Sequence, residues 1–541
     1  MPELTWIGKE AVVRHHAEVP FRLLEEVTDL SCPSADGDTE NLIVQGDNLE
    51  ALKALLPRYA GQVKCIYIDP PYNTGNENWV YNDAVNSPEI RQWLGHAVGK
   101  EAEDLSRHDK WLCMMYPRLV LLHQFLRDDG VIFVSIDDNE IASLRLMMDE
   151  VFGRRTFVHE IIWKNKYGPG AMTKGFGNIH EYILCYSRAP IESIDAPLSE
   201  EDAAKYKGRD EKFEKRGGFI TQPLATRSKD PRPNLVYSLK YEGEEILPDK
   251  QWIWAKERMD EAIANNEVVF RKTNGRWSVR FKQYLRHENG VIRRAKPISI
   301  LQGPFNQDGT WEIEKIFGSK DAFNNPKPSE LVRRLLSMVI NGDDSRDSLI
   351  LDSFAGSGTT GHAVLALNKQ DGGNRRFILV EIDEKIAHDI TAERVRRVAQ
   401  GYKNAKGEAV PGLGGGFQFV RLGKPLFDEN GAIRADVRFP ELAEFVFFKE
   451  TGRPLSKSKR GQRYTALLDR HDGRAVYLLF NGILGDRSVD GGNVLTGPVL
   501  AQLPPHNGPK VIYAAACRLG RARLASELIT FKQTPFDLHV S

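Results

Sequence analysis

Cysteine is scarce in this chain of 541 residues: Cys32, Cys65, Cys113, Cys185 and Cys517 are scattered, with no Cys-x-x-Cys pair. That argues against zinc knuckles and a disulfide framework, and leaves reduced, mostly structural thiols and no metal site. No window is apolar enough to span a bilayer, and Met1-Pro2-Glu3-Leu4-Thr5-Trp6 lacks a basic segment leading into an apolar one. No membrane contact and a cytoplasmic location are therefore expected. Excess charge is missing too, with 74 basic residues against 74 acidic ones, so any positive surface for a nucleic acid must be local. The densest basic stretch is Lys205, Lys207, Arg209, Lys212, Lys215 and Arg216, followed by Arg227, Lys229 and Arg232. Asp210, Glu211 and Glu214 interleave with it, which reads as a solvated face before it reads as a phosphate track. What remains is ordinary globular composition, 41% hydrophobic and 27% charged, in a chain long enough for two or three domains.

Short β-rich runs alternate with helical patterns: Asn41 to Asp47, a helix-like Leu49 to Leu56, then Val63 to Ile68. An amphipathic stretch from Trp111 to Leu126 leads into Val131 to Ile136, and a helix follows from Asn139 to Val151. Phe157 to Trp163 and Tyr182 to Tyr186 read as the edge of the same sheet. Such alternation implies an α/β fold built on a mostly parallel sheet covered on both faces. From about 190 the rhythm breaks into charged, Trp-containing sequence, and it resumes with a helix from Ser329 to Ile340 and strands ending at Asp352 and Glu381. We therefore expect an amino-terminal arm (1–40), two halves of one catalytic domain (41–189 and 321–410) and an insertion (190–320) between them. A tail (411–541) follows the glycine-rich hinge at Gly412 to Gly416, and its runs at Ala475 to Phe480 and Lys510 to Ala515 suggest a small α/β domain.

Gly356-Ser357-Gly358-Thr359-Thr360-Gly361 lies between a predicted strand and a predicted helix, with Glu381 at the end of the next strand. Glycines let a ligand approach the backbone, and a strand-end carboxylate accepts from ribose hydroxyls, so any adenosine cofactor fits. Asp352 tilts the choice: a carboxylate facing the loop repels a pyrophosphate and suits a cationic amino acid and sulfonium. Phe354 can pack on the methionine part. Lys327-Pro328-Ser329 is either a helix cap or part of the methionine pocket. No Gly-Lys-Ser/Thr follows the loop, so it is not a Walker loop.

Asp69-Pro70-Pro71-Tyr72 follows the strand ending at Ile68, at the carboxyl edge where open α/β sheets bind ligands. Two prolines stiffen the loop, and the Asp69 carboxylate and Pro70 carbonyl are two acceptors that match the two N–H bonds of an amino group. Drawing on both hydrogens localises the nitrogen lone pair for attack on an electrophilic methyl group, while Tyr72 offers a stacking face. Alone, Asp-Pro-Pro is equally a turn. Its place after a βαβ strand, with the glycine loop elsewhere in the chain, favours the chemistry.

Together, Asp69-Pro70-Pro71-Tyr72-Asn73-Thr74-Gly75 and Asp352-Ser353-Phe354-Ala355-Gly356-Ser357-Gly358-Thr359-Thr360 resemble the catalytic and cofactor motifs of amino-group DNA methyltransferases. The catalytic loop comes first, as in the circularly permuted beta group. Gly46-Asp47-Asn48-Leu49, Val134 to Glu140, His180-Glu181-Tyr182-Ile183-Leu184 and Asn325-Pro326-Lys327-Pro328 extend the likeness over most of residues 41 to 400. Trp6-Ile7-Gly8-Lys9 and Asn368 to Glu381 are similar to modification subunits of type III restriction systems.

The resemblance implies a Rossmann-like S-adenosylmethionine-dependent fold and transfer of a methyl group to N6 of a flipped-out adenine in double-stranded DNA. It assigns target recognition to the insertion, and it allows a homodimer and a helicase-nuclease restriction subunit as partners. It places Asp47 on the cofactor adenine, Asp352 on the methionine amino group and Glu381 on the ribose. Asp at the first loop position favours adenine, where Ser is more usual for N4-cytosine enzymes. The catalytic set is Asp69, Pro70, Pro71 and Tyr72; the cofactor set is Asp47, Lys327, Ser329, Asp352, Phe354, Gly356, Gly358, Thr359, Thr360 and Glu381. His180 stays outside, because the N–H proton is acidified once the methyl is transferred and no strong base is needed. Rivals are N4-cytosine methylation, a nicotinamide dehydrogenase, and a non-catalytic DNA-recognition subunit, against which the intact Asp69 and Tyr72 speak.

Overall fold

A computed structural model of the chain describes residues 4–34, 40–74, 103–169, 175–226, 232–340, 346–456, 465–485 and 492–538. Gly75 of the catalytic motif, and Arg227 and Lys229 of the basic run, lie outside the described residues. Two compact units emerge, one of residues 1–193 with 298–541 and the other Ile194–Pro297.

The first unit is organised by a sheet of ten strands: β1 (Arg22–Glu26), β2 (Leu42–Gln45), β3 (Val63–Ile68), β4 (Leu126–Ile136), β5 (Phe157–Lys164), β6 (His180–Ser187), β7 (Ile300–Gln302), β8 (Leu349–Asp352), β9 (Arg376–Glu381) and β10 (Gln418–Pro425). Their spatial order is β1-β10-β2-β9-β8-β3-β4-β6-β5-β7. All pairs from β10 through β4 are parallel, as is β5 with β7, while β1–β10, β4–β6 and β6–β5 are antiparallel. The helices used below are α1 (Asn48–Tyr59), α2 (Glu103–Phe125), α3 (Ile141–Met148), α4 (Asn306–Phe317), α5 (Ser329–Val339), α6 (Thr359–Asp371) and α7 (Glu393–Gln400). This is a Rossmann-like arrangement, with the strand that leads into Asp69 preceding in sequence the pair that ends at Asp352 and Glu381.

The central strands are continuous apolar runs because both faces are covered. Along β9, Ile378 and Val380 join the core that holds Leu49, Leu52, Trp111, Leu119 and Leu144 of α1, α2 and α3. The alternate residues face α6: a Cβ on Gly361 would come within 3.0 Å of Val395 and 3.1 Å of Leu379, so a larger residue there would have to push these side chains back by a few tenths of an ångström. Helix α5 buries Leu331, Val332, Leu335, Leu336 and Val339, the stripe of an amphipathic helix.

Several expected boundaries move. The inserted unit ends at Pro297, not near 320, because β7 extends the main sheet beside β5 and Asn306 donates its N–H to the Asn165 carbonyl. The amino-terminal arm contributes β1, and Trp6, Val12 and Val19 enter the main core. The glycine run at Gly412 to Gly416 leads straight into β10, inside the main sheet, so it is a turn and not a hinge between separate bodies. Beyond it, a helix at Phe439–Thr451 packs on a sheet of Leu467–His471, Arg474–Leu478, Lys510–Ala514 and Ile529–Gln533, the α/β tail.

The inserted unit has a core of Leu224, Leu239, Ile246, Trp252, Met259 and Val279 under an antiparallel sheet of Phe219–Pro223, Val268–Thr273 and Arg276–Tyr284. Three cations of its basic run pair locally, Lys205 with Asp202 and both Lys212 and Arg216 with Glu267, while Asp210, interleaved with the run, takes Lys282. No helix among the described residues is long and apolar enough to cross a membrane. All five cysteines are free thiols, four of them buried.

Candidate active site

Strands β3, β8 and β9 end side by side, and beyond their carboxyl ends lies a cavity of about 730 Å³. It draws Asp69, Pro70 and Pro71 from the first loop, Asp352, Phe354, Gly356 and Thr359 from the glycine loop, and Lys327 and Glu381. Phe323, Ile382 and Ile386 complete the apolar wall. Its ionisable lining is acidic, with Asp69, Asp321, Asp352, Glu381, Asp383 and Asp389 against Lys327 and Lys385. Among the described residues no group of His, Cys, Asp and Glu is set to hold a metal ion.

The Asp69 loop is fixed from behind. Trp111 donates its ring N–H to the Pro71 carbonyl at 2.7 Å, and Asn73, in a left-handed backbone conformation, donates to buried Glu140 at 2.5 Å. Asp69 Oδ2 pairs with Lys327 Nζ at 2.9 Å, whereas Oδ1 is buried with no hydrogen-bond partner among the described residues. Burial pushes the Asp69 carboxyl above its ordinary value, and Lys327 works against that shift. Burial also disfavours the Lys327 charge, but Asp69 and Glu181 outweigh it and hold the ammonium above its ordinary pKa. Tyr72 donates its hydroxyl to Glu181 Oε2 at 2.9 Å, and its ring lies 4.7 Å from the Lys327 ammonium. Burial, then Asp69 and Glu181, raise the phenol far above its usual range, so Tyr72 is a neutral donor.

The glycine loop is built on carboxylates that accept from neutral donors. Asp352 Oδ1 accepts from the Phe354 N–H at 3.0 Å and Oδ2 from the Thr360 hydroxyl at 2.5 Å. Glu381 accepts from the Gly356 and Asp383 N–H groups at 2.8 and 3.0 Å. Burial pushes both Asp352 and Glu381 up to about 7. Gly358, at φ 77°, turns the chain into α6 in a conformation that L side chains resist. Beneath the loop, fully buried Arg394 donates to Ser357 Oγ at 2.8 Å, Thr359 Oγ1 at 2.9 Å and Glu312 Oε2 at 2.8 Å.

Not every expected residue reaches the cavity. Asp47 caps α1, accepting from Leu49 and Glu50, and pairs with Arg118 at 3.2 Å; it is not among the lining residues. Ser329 opens α5 and gives both its N–H and its hydroxyl to Glu312. Gly358 and Thr360 act through loop shape and through Asp352. Tyr72 does not line the cavity itself but stands beside Lys327. His180 pairs with Tyr182 at 3.1 Å and also lies off the cavity. Conversely, the sequence reading gave no role to Glu181, Phe323, Ile382, Glu312 or Arg394. Glu181 carried a signal as the middle of His180-Glu181-Tyr182; Arg394 carried none, being one arginine in a charged helix.

A family profile described as DNA methylase matches residues 63–393. The chain is 33% identical over 419 residues to the type III restriction-modification enzyme StyLTI Mod subunit of Salmonella typhimurium, covering 73% of this chain and 63% of that protein. It is 33% identical over 427 residues to the EcoPI Mod subunit of Escherichia phage P1, covering 71% and 64%. It thus spans somewhat under two thirds of the length of these relatives. The type II methyltransferase M.KpnI of Klebsiella pneumoniae is 30% identical over 404 residues, covering 68% of this chain and 90% of that one. The chain belongs to the N6/N4 DNA methylase family.

Proposed function

We propose that the chain transfers a methyl group from S-adenosylmethionine to N6 of an adenine flipped out of double-stranded DNA, as the modification component of a restriction system. The observation that carries this reading is the pairing, in one acidic cavity, of Asp69 Oδ1, a buried acceptor with no partner among the described residues, with two strand-end carboxylates at Asp352 and Glu381. Such a lining repels a pyrophosphate, which sets the dinucleotide reading aside, and fits a ligand with a cationic amino-acid end and a ribose. The cofactor, when bound, supplies an electrophilic methyl group. Asp352 is suited to its ammonium, Glu381 to its ribose hydroxyls and Phe354 to its apolar part. Asp69 Oδ1 and the Pro70 carbonyl accept the two amino N–H bonds, which localises the nitrogen lone pair. The Tyr72 ring, held by Glu181, offers a stacking face.

Adenine is preferred over cytosine because Asp stands at position 69, and the relatives named StyLTI and EcoPI Mod subunits support the restriction-system role. The inserted unit supplies the sequence readout, a helicase-nuclease subunit is the partner, a homodimer is the assembly, and the cytoplasm, where the DNA is, is the location. Asp69→Ala tests the centre of this reading: methyl transfer to DNA should fall by about 1,000-fold or more, while S-adenosylhomocysteine binds within about threefold of the wild type. Retained transfer overturns the assignment. Mass spectrometry of nucleosides from DNA of cells expressing the chain identifies the base, and N4-methylcytosine there would replace the adenine reading.

A further inference from the structure

We propose that Lys327 and Glu181 are positioning residues: an ionic brace that keeps Asp69 charged and aimed, with Oδ1 left for the incoming amino group. This inference rests on the proposed amino-group methylation and specifies how the site is kept ready for it.

The brace joins elements far apart in the sequence. Lys327 comes from the loop between α4 and α5, Glu181 from β6, and Asp69 and Tyr72 from the loop after β3. Lys327 Nζ stands 2.9 Å from Asp69 Oδ2 and 3.6 Å from Glu181 Oε2. Glu181 Oε2 also takes the Tyr72 hydroxyl at 2.9 Å, and Oε1 takes the Asn165 amide at 2.6 Å. One carboxylate therefore holds both ends of the catalytic loop, Tyr72 directly and Asp69 through the ammonium. With the ammonium on Oδ2, the buried Oδ1, which has no partner among the described residues, is the acceptor left facing an incoming donor.

The charges explain why a cation is needed here. Asp69 faces Lys327, Glu181 and Tyr72 directly, and Tyr67 and Asp352 also interact with it. Without the ammonium, Asp69 would face the Glu181 carboxylate and lose the cation that opposes the upward push of burial on its own carboxyl. A protonated Asp69 would present a donor, where the mechanism requires an acceptor. Removing Glu181's charge as well would relieve that conflict, so the two losses should not add.

The test compares the full-length wild type with Lys327→Met, Glu181→Gln, the double variant and Lys327→Arg. Each is assayed by transfer from radiolabelled S-adenosylmethionine to unmethylated genomic DNA between pH 6 and pH 9.5. Lys327→Met should lower kcat about 100-fold at pH 7 and move the acid limb of its pH profile upward by about one unit. The double variant should recover about tenfold over Lys327→Met, and Lys327→Arg should keep most of the activity. Asn165 Oδ1, without a partner among the described residues, can accept from the side-chain amide that Glu181→Gln introduces, once the Asn165 side chain flips.

S-adenosylhomocysteine should bind all four variants as it binds the wild type. An unmoved acid limb in Lys327→Met, a double variant whose loss is the product of the single losses, or an arginine variant as inactive as the methionine one overturns the brace. So does loss of S-adenosylhomocysteine binding in Lys327→Met, which returns Lys327 to the cofactor pocket. A wild type that methylates no DNA overturns the proposed function instead.

Discussion

Asp69, after β3, has a cation of the protein's own beside it, whereas Asp352 and Glu381, at the ends of β8 and β9, are held among the described residues by backbone N–H groups and a threonine hydroxyl. All three sit at the ends of adjacent parallel strands, and burial pushes all three upward. The difference lies in where the balancing charge comes from. Asp69 is supplied with it before any ligand arrives, as suits a group that must be an acceptor at the moment of reaction. Asp352 and Glu381 stay poised near neutrality until a ligand brings positive charge and hydroxyl donors of its own.

The contrast can be broken hardest from beneath. Arg394 is the buried cation under the glycine loop, yet it touches Ser357 and Thr359 and neither strand-end acid. Arg394→Met takes the buried guanidinium from Glu312, which keeps only its Ser329 donors, and should cost about 3 kcal/mol of stability in a urea titration, with the Asp69 loop intact. A loss below about 1 kcal/mol would show the network to be incidental. Next, Asp352→Asn keeps the size and one acceptor for the Phe354 N–H, lets the Thr360 hydroxyl turn to accept from the new amide, and removes the charge. It should weaken S-adenosylhomocysteine binding about thirtyfold, roughly 2 kcal/mol, in calorimetry. Equal binding would put the ligand's ammonium elsewhere.

The smallest effect is one of pH. In the ligand-free chain Asp352 and Glu381 titrate near 7, above their ordinary values, so their protonated forms favour the folded state. That contribution is full below the ordinary carboxylate range and is lost as pH rises through about 7. A ligand that needs the charged carboxylate must expel the proton, so its affinity should fall by up to about tenfold per pH unit below 7. Thermal denaturation with and without S-adenosylhomocysteine at pH 5.5 and pH 8 reads this directly. A larger stabilisation by the ligand at pH 5.5 would reverse the assignment.

Much of this was legible from local pattern. Cys65 to Ile68 and Phe377 to Val380 are uninterrupted apolar runs, each followed by an acid, and a buried parallel strand leaves its last polar residue at the ligand edge. Asp69, Asp352 and Glu381 could be read for that reason. Asp47 shows the limit: Asp-Asn-Leu-Glu after a strand fits an N-cap as well as a ligand contact, and the structure uses it as a cap with an arginine partner. Lys327 could be placed near the site but not beside Asp69, since a pairing between remote loops leaves no periodic trace. Neither did the short β7, whose three residues moved the end of the insertion. The glycines from Gly412 to Gly416 read as a hinge because composition does not distinguish a flexible joint from a tight entry into a strand.

That entry matters for anyone cutting the chain. Strand β10 lies between β1 and β2, hydrogen-bonded to both, so the polypeptide on the far side of the glycines is a seam in the catalytic sheet and not an appendage. A fragment ending at residue 411 would strip β2 of its neighbour, leave β1 with nothing to pair with, and open the sheet to edge-to-edge association between molecules. The smallest self-sufficient piece must therefore run at least to Pro425 and keep the residues ahead of Leu42.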